Sequence, residues 1–447
     1  MPLLKLIIIA ALNLCIIQSN GATNHLIYAQ YSTDTVPSVS EELPIVNDTR
    51  LSVERVYTGL NETTNMAFLA ENDILFLDGL SGKVQRIVNG QMLDKPLIDL
   101  NTYYQDGLLG IAVSKNETGP TYVFLYLNEA PKAYGSDVEN ADEAMEVNKT
   151  LGYDREGDRL YRFELINNKL VNPKLLIDLK ITNQSKLIGD MHHGGELTVG
   201  PDNLVYLIVG DLDGWKYEDG RTKAQNYNDG KEPDGRAGIL RVTQDGKPVD
   251  NGIIGDNYPL NLYYAYGIRN SFGMDFDPVT GKLWDTENGP DYGDEINLVE
   301  PGFNSGADDV YGMSFLDHKF NLNKLVTFGG KGKYSDPEFV WDIPIGPTAI
   351  KFIESNIYGD EFKNDLLVGD INNGNIYHFE LNNKRDMLLL NGTLADNEAN
   401  SKEEVKDIIF MDGFKGITDI QIGPEGYIYV LANGSIYKIL PKKVNYR

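Results

Sequence analysis

His192, which opens the run His192-His193-Gly194-Gly195, is the side chain with the most chemistry within its reach. An imidazole is the usual general base near neutral pH, and the glycines behind it let backbone and ligand approach closely. Asp211, at the end of the following predicted strand, is placed to orient that imidazole. The competing reading is a histidine satisfied by a loop carbonyl. Arg269-Asn270 follows the aromatic run Tyr263-Tyr264-Ala265-Tyr266. A guanidinium offers a fixed fork of donors for an oxyanion or carboxylate; alternatively it closes a salt bridge at a strand end. Asn288-Gly289-Pro290 would turn successive carbonyls inward, and such oxygens suit a hard cation such as calcium. Asp294 and Glu295 follow closely and would form a second carboxylate site. Without a ligand, Asn-Gly-Pro is only a turn. His193 is the neighbour that competes with His192 for its role, while His318 and His378 lack comparable surroundings.

Other chemistries are excluded. No Walker loop, dinucleotide fingerprint, serine nucleophile elbow or histidine-rich metal motif occurs. The single cysteine, Cys15, lies in an N-terminal apolar run, which leaves the mature chain no thiolate site and no disulfide. A net charge of −26 repels nucleic acid and anionic membrane and favours divalent cations.

The elements that must carry these residues are strands. The chain has 447 residues, 26 Tyr, 16 Phe and 45 Gly, with glycine mostly between apolar runs. Residues 1–29 read as an export signal: Lys5 precedes an apolar run, Leu6–Ile17, that is too short to span a bilayer. Cleavage falls after Ala22 or Ala29, and the alternative is an uncleaved anchor. Residues 30–49 read as a polar linker, and 50–442 as the folded domain. No other segment has the length of a membrane helix. Strand, Gly-Pro or Asp-Pro turn, strand recurs around Pro201, Pro278 and Pro424, the second interval being about twice the first. Less regular copies lie at Met66–Asp78, Leu109–Leu127 and Ala349–Gly369. Such units of four short strands predict an all-β, six-bladed β-propeller of four-stranded antiparallel blades, with Leu51–Tyr57 completing the last blade. Two β-sandwiches are the alternative. Glu129–Asp158 and Trp215–Arg236 read as long surface loops.

Taken together, Gln105-Asp-Gly-Leu-Leu-Gly110, His192-His-Gly-Gly-Glu-Leu197, Tyr266-Gly-Ile-Arg-Asn270 and Asn288-Gly-Pro290 through Asp294-Glu-Ile-Asn-Leu298 resemble a family. It is that of the soluble quinoprotein glucose/sorbosone dehydrogenases, including bacterial aldose sugar dehydrogenases. The resemblance covers most of Leu51 to Leu440 and implies a six-bladed propeller holding pyrroloquinoline quinone and calcium on its upper face. It implies that His192 is the base that takes the sugar hydroxyl proton as hydride moves to the quinone, that Asp211 supports it, and that Arg269 lies beside the quinone oxygens. Gln105, Asn270 and Asn288 match quinone contacts, Gly289 and Pro290 the calcium-holding carbonyls, and Glu295 a ligand of a further, structural calcium. A small sugar or alcohol and an external electron acceptor would be the partners, outside the cytoplasm.

The chain departs from the family where the cofactor's carboxylates are gripped. Asn372 stands in place of a lysine, and Gly416-Ile417-Thr418 in place of Arg-x-Arg. Charged hydrogen bonds contribute roughly 1.5–3 kcal/mol each, so three losses would weaken binding by orders of magnitude. Lys415 and Lys351 are the candidate substitutes. Ser305 replaces an aromatic residue at the structural calcium, and Glu196 replaces an arginine. Three functions follow as expectations: a quinone-dependent sugar dehydrogenase, a calcium-dependent binding propeller without the quinone, and a lactonase-like hydrolase using calcium and His192.

Overall fold

The computed structural model describes residues 42–79, 81–100, 102, 107–115, 119–130, 157–179, 192–212, 221–307, 310–312 and 322–442. The export signal, most of the linker, Gln105, His318, the greater part of the loop Glu129–Asp158 and the first six residues of Trp215–Arg236 lie outside the described residues.

The chain is an all-β propeller of antiparallel sheets. Sheet I contains Thr63–Ala70, Asp73–Asp78, Lys83–Val88 and Gln91–Met92, with Ile98–Asp99 beside the third strand. Sheet II contains Leu108–Lys115, Thr121–Glu129, Gly157–Ile166 and Lys169–Asp178. Sheet III is built from Leu197–Val199, Leu204–Val209, Gly238–Thr243 and Tyr263–Tyr266, then Phe303–Asn304 and Lys333–Tyr334. Sheet IV runs Ser271–Phe276, Leu283–Glu287, Asp294–Val299, Phe339–Trp341 and Glu398–Ala399. Sheet V runs Pro347–Phe352, Leu366–Asp370, Ile376–Phe379, Ile409–Asp412 and Ile45–Val46. Sheet VI pairs Ile417–Ile422, Ile428–Ala432 and Ser435–Pro441 with the N-terminal strand Leu51–Thr58.

The first-named strands of sheets I to VI touch one another in cyclic order, so the ring closes. The closing joint is the expected one: Leu51 lies opposite Pro441 and Thr58 opposite Ser435. Two expectations need correction. The sheets are not uniformly four-stranded and antiparallel, because III and IV carry outer strands that pair in parallel. Those strands come from segments that return along a sheet edge and cover backbone groups otherwise left open. The linker reading of 30–49 also fails at its end, where Ile45 and Val46 pair with Asp412 and Met411. Two apolar residues after a proline suffice to add an edge strand.

The core lies between sheets. Leu109, Phe124, Tyr126, Val205, Leu207 and Leu240 join II to III, and Trp284, Phe339, Trp341, Phe352, Val368 and Tyr377 join IV to V. Each large side chain buried in this way contributes roughly 1.5–3 kcal/mol. Glycine decides how close the inner strands come: a Cβ on Gly110 would lie 1.9 Å from the Gly195 carbonyl oxygen.

Candidate active site

Three chain segments meet above sheets III and IV. The first carries His192, whose φ of 64° lies in the left-handed region, followed by Gly194 and Gly195 at 69° and 134°. The second follows the strand Leu204–Val209, and Gly210 passes so near that a Cβ there would be 2.0 Å from the His192 oxygen. The third carries Arg269, whose carbonyl accepts the Asp211 N–H at 2.8 Å. The glycines therefore allow Asp211 to sit between the histidine and the arginine. His192 Nδ1 lies 2.8 Å from Asp211 Oδ1. The carboxylate is 1% exposed and the imidazole 9%. Nδ1–H donates to Asp211, so in this tautomer the basic lone pair lies on Nε2.

Arg269 links this pair to the Asn288 turn. Its backbone N–H donates to Glu287 Oε1 at 2.6 Å. Its Nη1 donates to the carbonyl oxygens of Asn288 at 2.9 Å and Gly289 at 3.0 Å. These two oxygens converge on a positive group, as calcium-holding carbonyls would, although the expected pair was Gly289 and Pro290. Asn288 donates its side-chain amide to the carbonyls of Asn270 and Pro347. The Asn270 Oδ1 has no hydrogen-bond partner.

The sequence placed Asp294 and Glu295 in one carboxylate site. The structure separates them, because consecutive strand residues face opposite ways. Asp294 clamps two turns, accepting N–H bonds from Gly289, Ile345 and Gly346. Burial nevertheless pushes its pKa up to about 6. Glu295 instead lies opposite Glu287, beside the Asp285–Asn297 pair. All four side chains share one buried face of sheet IV. Burial, reinforced by Glu287, raises Asp285 and Glu295 well above the ordinary carboxylate range. Burial lifts Glu287 to about 7, against the bonds from Ser305 and Arg269. Both carboxylate oxygens of Asp285 and Oδ1 of Asn297 lack a hydrogen-bond partner. Hard oxygen donors without partners suit calcium. Among the described residues no group of three or more His, Cys, Asp or Glu is arranged to hold one metal ion, so amide, hydroxyl or carbonyl oxygens would have to complete the shell.

The opposite side of the upper face is built differently. Lys351 is a substitute in sequence only: its Nζ lies 3.2 Å from Asp275, half-buried in the axis near Glu196 and Asp419. Glu196 accepts from Asn65 at 3.0 Å. Lys415 is exposed and sits against the 371–374 loop, its nitrogen 2.4 Å from where a Gly374 Cβ would be. Lys402 reaches the same loop and donates to Asn373 Oδ1 at 3.2 Å. The sequence reading missed Lys402, because it arrives from the segment that follows the outermost strand of sheet IV. Asp285 was also missed; alternation along Leu283–Glu287 puts it on the same face as Glu287. His378 pairs with Asp365 at 2.8 Å, away from this face.

The structure thus joins His192, Asp211, Arg269, Asn270, Asn288 and Gly289 in one bonded chain, with Glu295 one strand away. Lys415 stands apart on sheet VI. No helix among the described residues is long and apolar enough to cross a membrane.

Residues 60–440 match the family model described as glucose/sorbosone dehydrogenase. An uncharacterized Synechocystis protein is 25% identical over 429 residues, covering 91% of this chain and 90% of that one. The aldose sugar dehydrogenase of Escherichia coli is 23% identical over 402 residues, covering 88% and 93%. The structure of the PQQ-bound form of the aldose sugar dehydrogenase from Streptomyces coelicolor matches with a TM-score of 0.57 at 19% identity, covering 89% of this chain and 99% of that one.

Proposed function

The chain belongs to the glucose/sorbosone dehydrogenase family, and we propose that it is an exported oxidoreductase that oxidises a sugar or related alcohol with pyrroloquinoline quinone and calcium. In this reading the six sheets act as six blades of one ring spanning 50–442, behind a signal at 1–29 and a linker that ends before the edge strand Ile45–Val46. The observation that carries it is the His192–Asp211 pair, tied to Arg269 through the Asp211 N–H on the Arg269 carbonyl.

The residues of sheets III and IV fit the cofactor's reactive end. When bound, the quinone supplies the hydride acceptor and calcium the Lewis acid that polarises it. His192 Nε2 takes the proton of the substrate hydroxyl. Asp211 holds the imidazole in the tautomer that makes this possible and stabilises the imidazolium that results. Arg269 supplies positive charge, and the Asn288 and Gly289 carbonyls, with Pro290, would hold the ion. Gln105, Asn270 and Asn288 would contact the quinone. Glu295 would be a ligand of a structural calcium, with amide, hydroxyl or carbonyl oxygens completing the shell. On the other side, among the described residues, Lys415 and Lys402 offer charge to the cofactor's carboxylates.

The test is addition of pyrroloquinoline quinone and calcium to purified apo-protein. Cofactor absorbance reports binding, and reduction of an artificial electron acceptor with aldoses reports turnover. Binding at micromolar levels with turnover is expected; no binding at that level overturns the proposal. A second reading, a calcium-dependent binding propeller without the quinone, is favoured by Lys351 being held in the axis by Asp275. Nothing observed favours a lactonase.

A further inference from the structure

We propose that His193 is a positioning residue: with Asp158 it fixes the backbone that presents His192. The two histidines are adjacent in the chain and are anchored to different sheets. His192 binds Asp211 of sheet III. His193 turns the other way, its Nδ1 lying 3.0 Å from Asp158 Oδ2 and 3.1 Å from Oδ1. Its Nε2 faces the Asn128 amide at 3.5 Å. Asp158 and Asn128 are register partners in sheet II. The His193 carbonyl accepts the Tyr126 hydroxyl, also of sheet II, at 3.3 Å. The same carbonyl accepts the Gly210 N–H of sheet III at 3.4 Å. The His193 carbonyl therefore bridges the junction of two sheets, and one of the two adjacent imidazoles is tied to each.

His192 needs such a tie. Its positive φ is unfavourable for a residue with a Cβ, and the glycines that follow add freedom rather than stiffness. Asp211 fixes the ring and the Leu212 N–H binds the His192 carbonyl at 3.4 Å, both from sheet III; the His193–Asp158 pair adds the tie to sheet II. His193 is 4% exposed and Asp158 1%, so this second pair takes no part in proton exchange with substrate. It acts through the geometry of its neighbour.

The inference has one readout that rests on the proposed dehydrogenase function and one that does not. In full-length apo-protein labelled at histidine, nitrogen NMR reports the imidazole tautomers, and His192→Ala assigns the signals. Wild type is expected to show His192 in a single Nδ1–H tautomer. His193→Phe fills the space without the bonds and is expected to give His192 a mixed tautomer population. In the loaded enzyme it should lower kcat by roughly tenfold to a hundredfold at unchanged sugar KM. His193→Asn restores a donor towards Asp158 and should recover much of both. If His193→Phe fails to fold, Tyr126→Phe removes only the hydroxyl on the His193 carbonyl and should shift the tautomer signal the same way, to a smaller extent. A His192 spectrum unchanged in the folded variants, or Asn as damaging as Phe, overturns the proposal. If the wild-type protein oxidises no sugar, the spectra still decide it.

Discussion

The two sides of the upper face solve the same problem of holding polar groups in opposite ways. Above sheets III and IV each group is fixed by the next: Asp211 by the Arg269 carbonyl, Arg269 by Glu287 and the Asn288 turn, and that turn by Asp294. Above sheets V and VI the 371–374 loop is met by two exposed lysines, one through a single side-chain hydrogen bond and one through backbone contact alone. The first side is preorganised for chemistry on a bound group. The second offers charge without a fixed geometry. Under the proposed function, the reactive groups and the charges that would hold a cofactor's carboxylates lie in separate parts of the chain, so each can be changed alone.

The comparison breaks most visibly at His192. His192→Ala should lower turnover by roughly 10²–10⁴-fold while quinone absorbance titrations stay unchanged. A loss of binding instead would mean that the two sides are not separate. Calcium comes next. If it enters the sheet IV patch, saturation near a hundred times Kd should stabilise the fold by about 2.7 kcal/mol, read as a higher Tm in calcium than in chelator. Asp285→Asn removes a buried carboxyl group with no hydrogen-bond partner, so it should cost little stability in chelator and abolish the calcium response.

The axis tests whether Lys351 is available to the second side. Burial first, then Asp419, pushes Glu196 up to about 8 from the ordinary 4.5, against Lys351 and Asn65. The folded protein therefore keeps a proton that the unfolded chain releases between those values. Stability is full below the unfolded pKa and falls as pH rises towards 8, by up to about 1.4 kcal/mol per pH unit for one proton. Asp419, lifted by burial to about 6, adds to the lower part of that window. Urea midpoints between pH 5 and 8 measure the slope, and Glu196→Gln should flatten it. A flat wild-type curve would mean that Lys351 already neutralises Glu196. The smallest effect belongs to the two lysines. Exposed charges contribute little, so Lys402→Met with Lys415→Met should weaken quinone binding by about threefold to tenfold, measured by titration.

Much of the fold was legible, because turn residues and alternating apolar runs are local properties. Gly423-Pro424 marks a hairpin wherever it sits. The strand Leu51–Tyr57 was assigned to the last sheet because a ring must close. The outer parallel strands Phe303–Asn304 and Glu398–Ala399 were not legible, since two residues carry no period. At the site, His192, Asp211 and Arg269 stand out by type and by their positions at strand ends. The split between Asp294 and Glu295 follows from strand alternation and was readable from the pattern. The fate of Lys351 was not: a lysine on an inner strand looks the same whether it points to a ligand or to Asp275, and only the neighbouring strands decide. Lys402 was invisible for the same reason.

The seam between Leu51–Thr58 and Ser435–Pro441 sets an order of assembly. Leu51–Thr58, made before every strand of sheets I to IV, finds its partner only when Ser435–Pro441 has been synthesised. Until then sheet VI lacks its outer edge and the growing ring stays open, with one exposed strand edge at each end. Local hairpins can form as they emerge, but the final closing step joins residues at opposite ends of the sequence, which is the slowest kind of contact to make. A chain shortened by a few residues at either end of the domain would therefore be arrested as an open ring, prone to pairing its free edges with another copy.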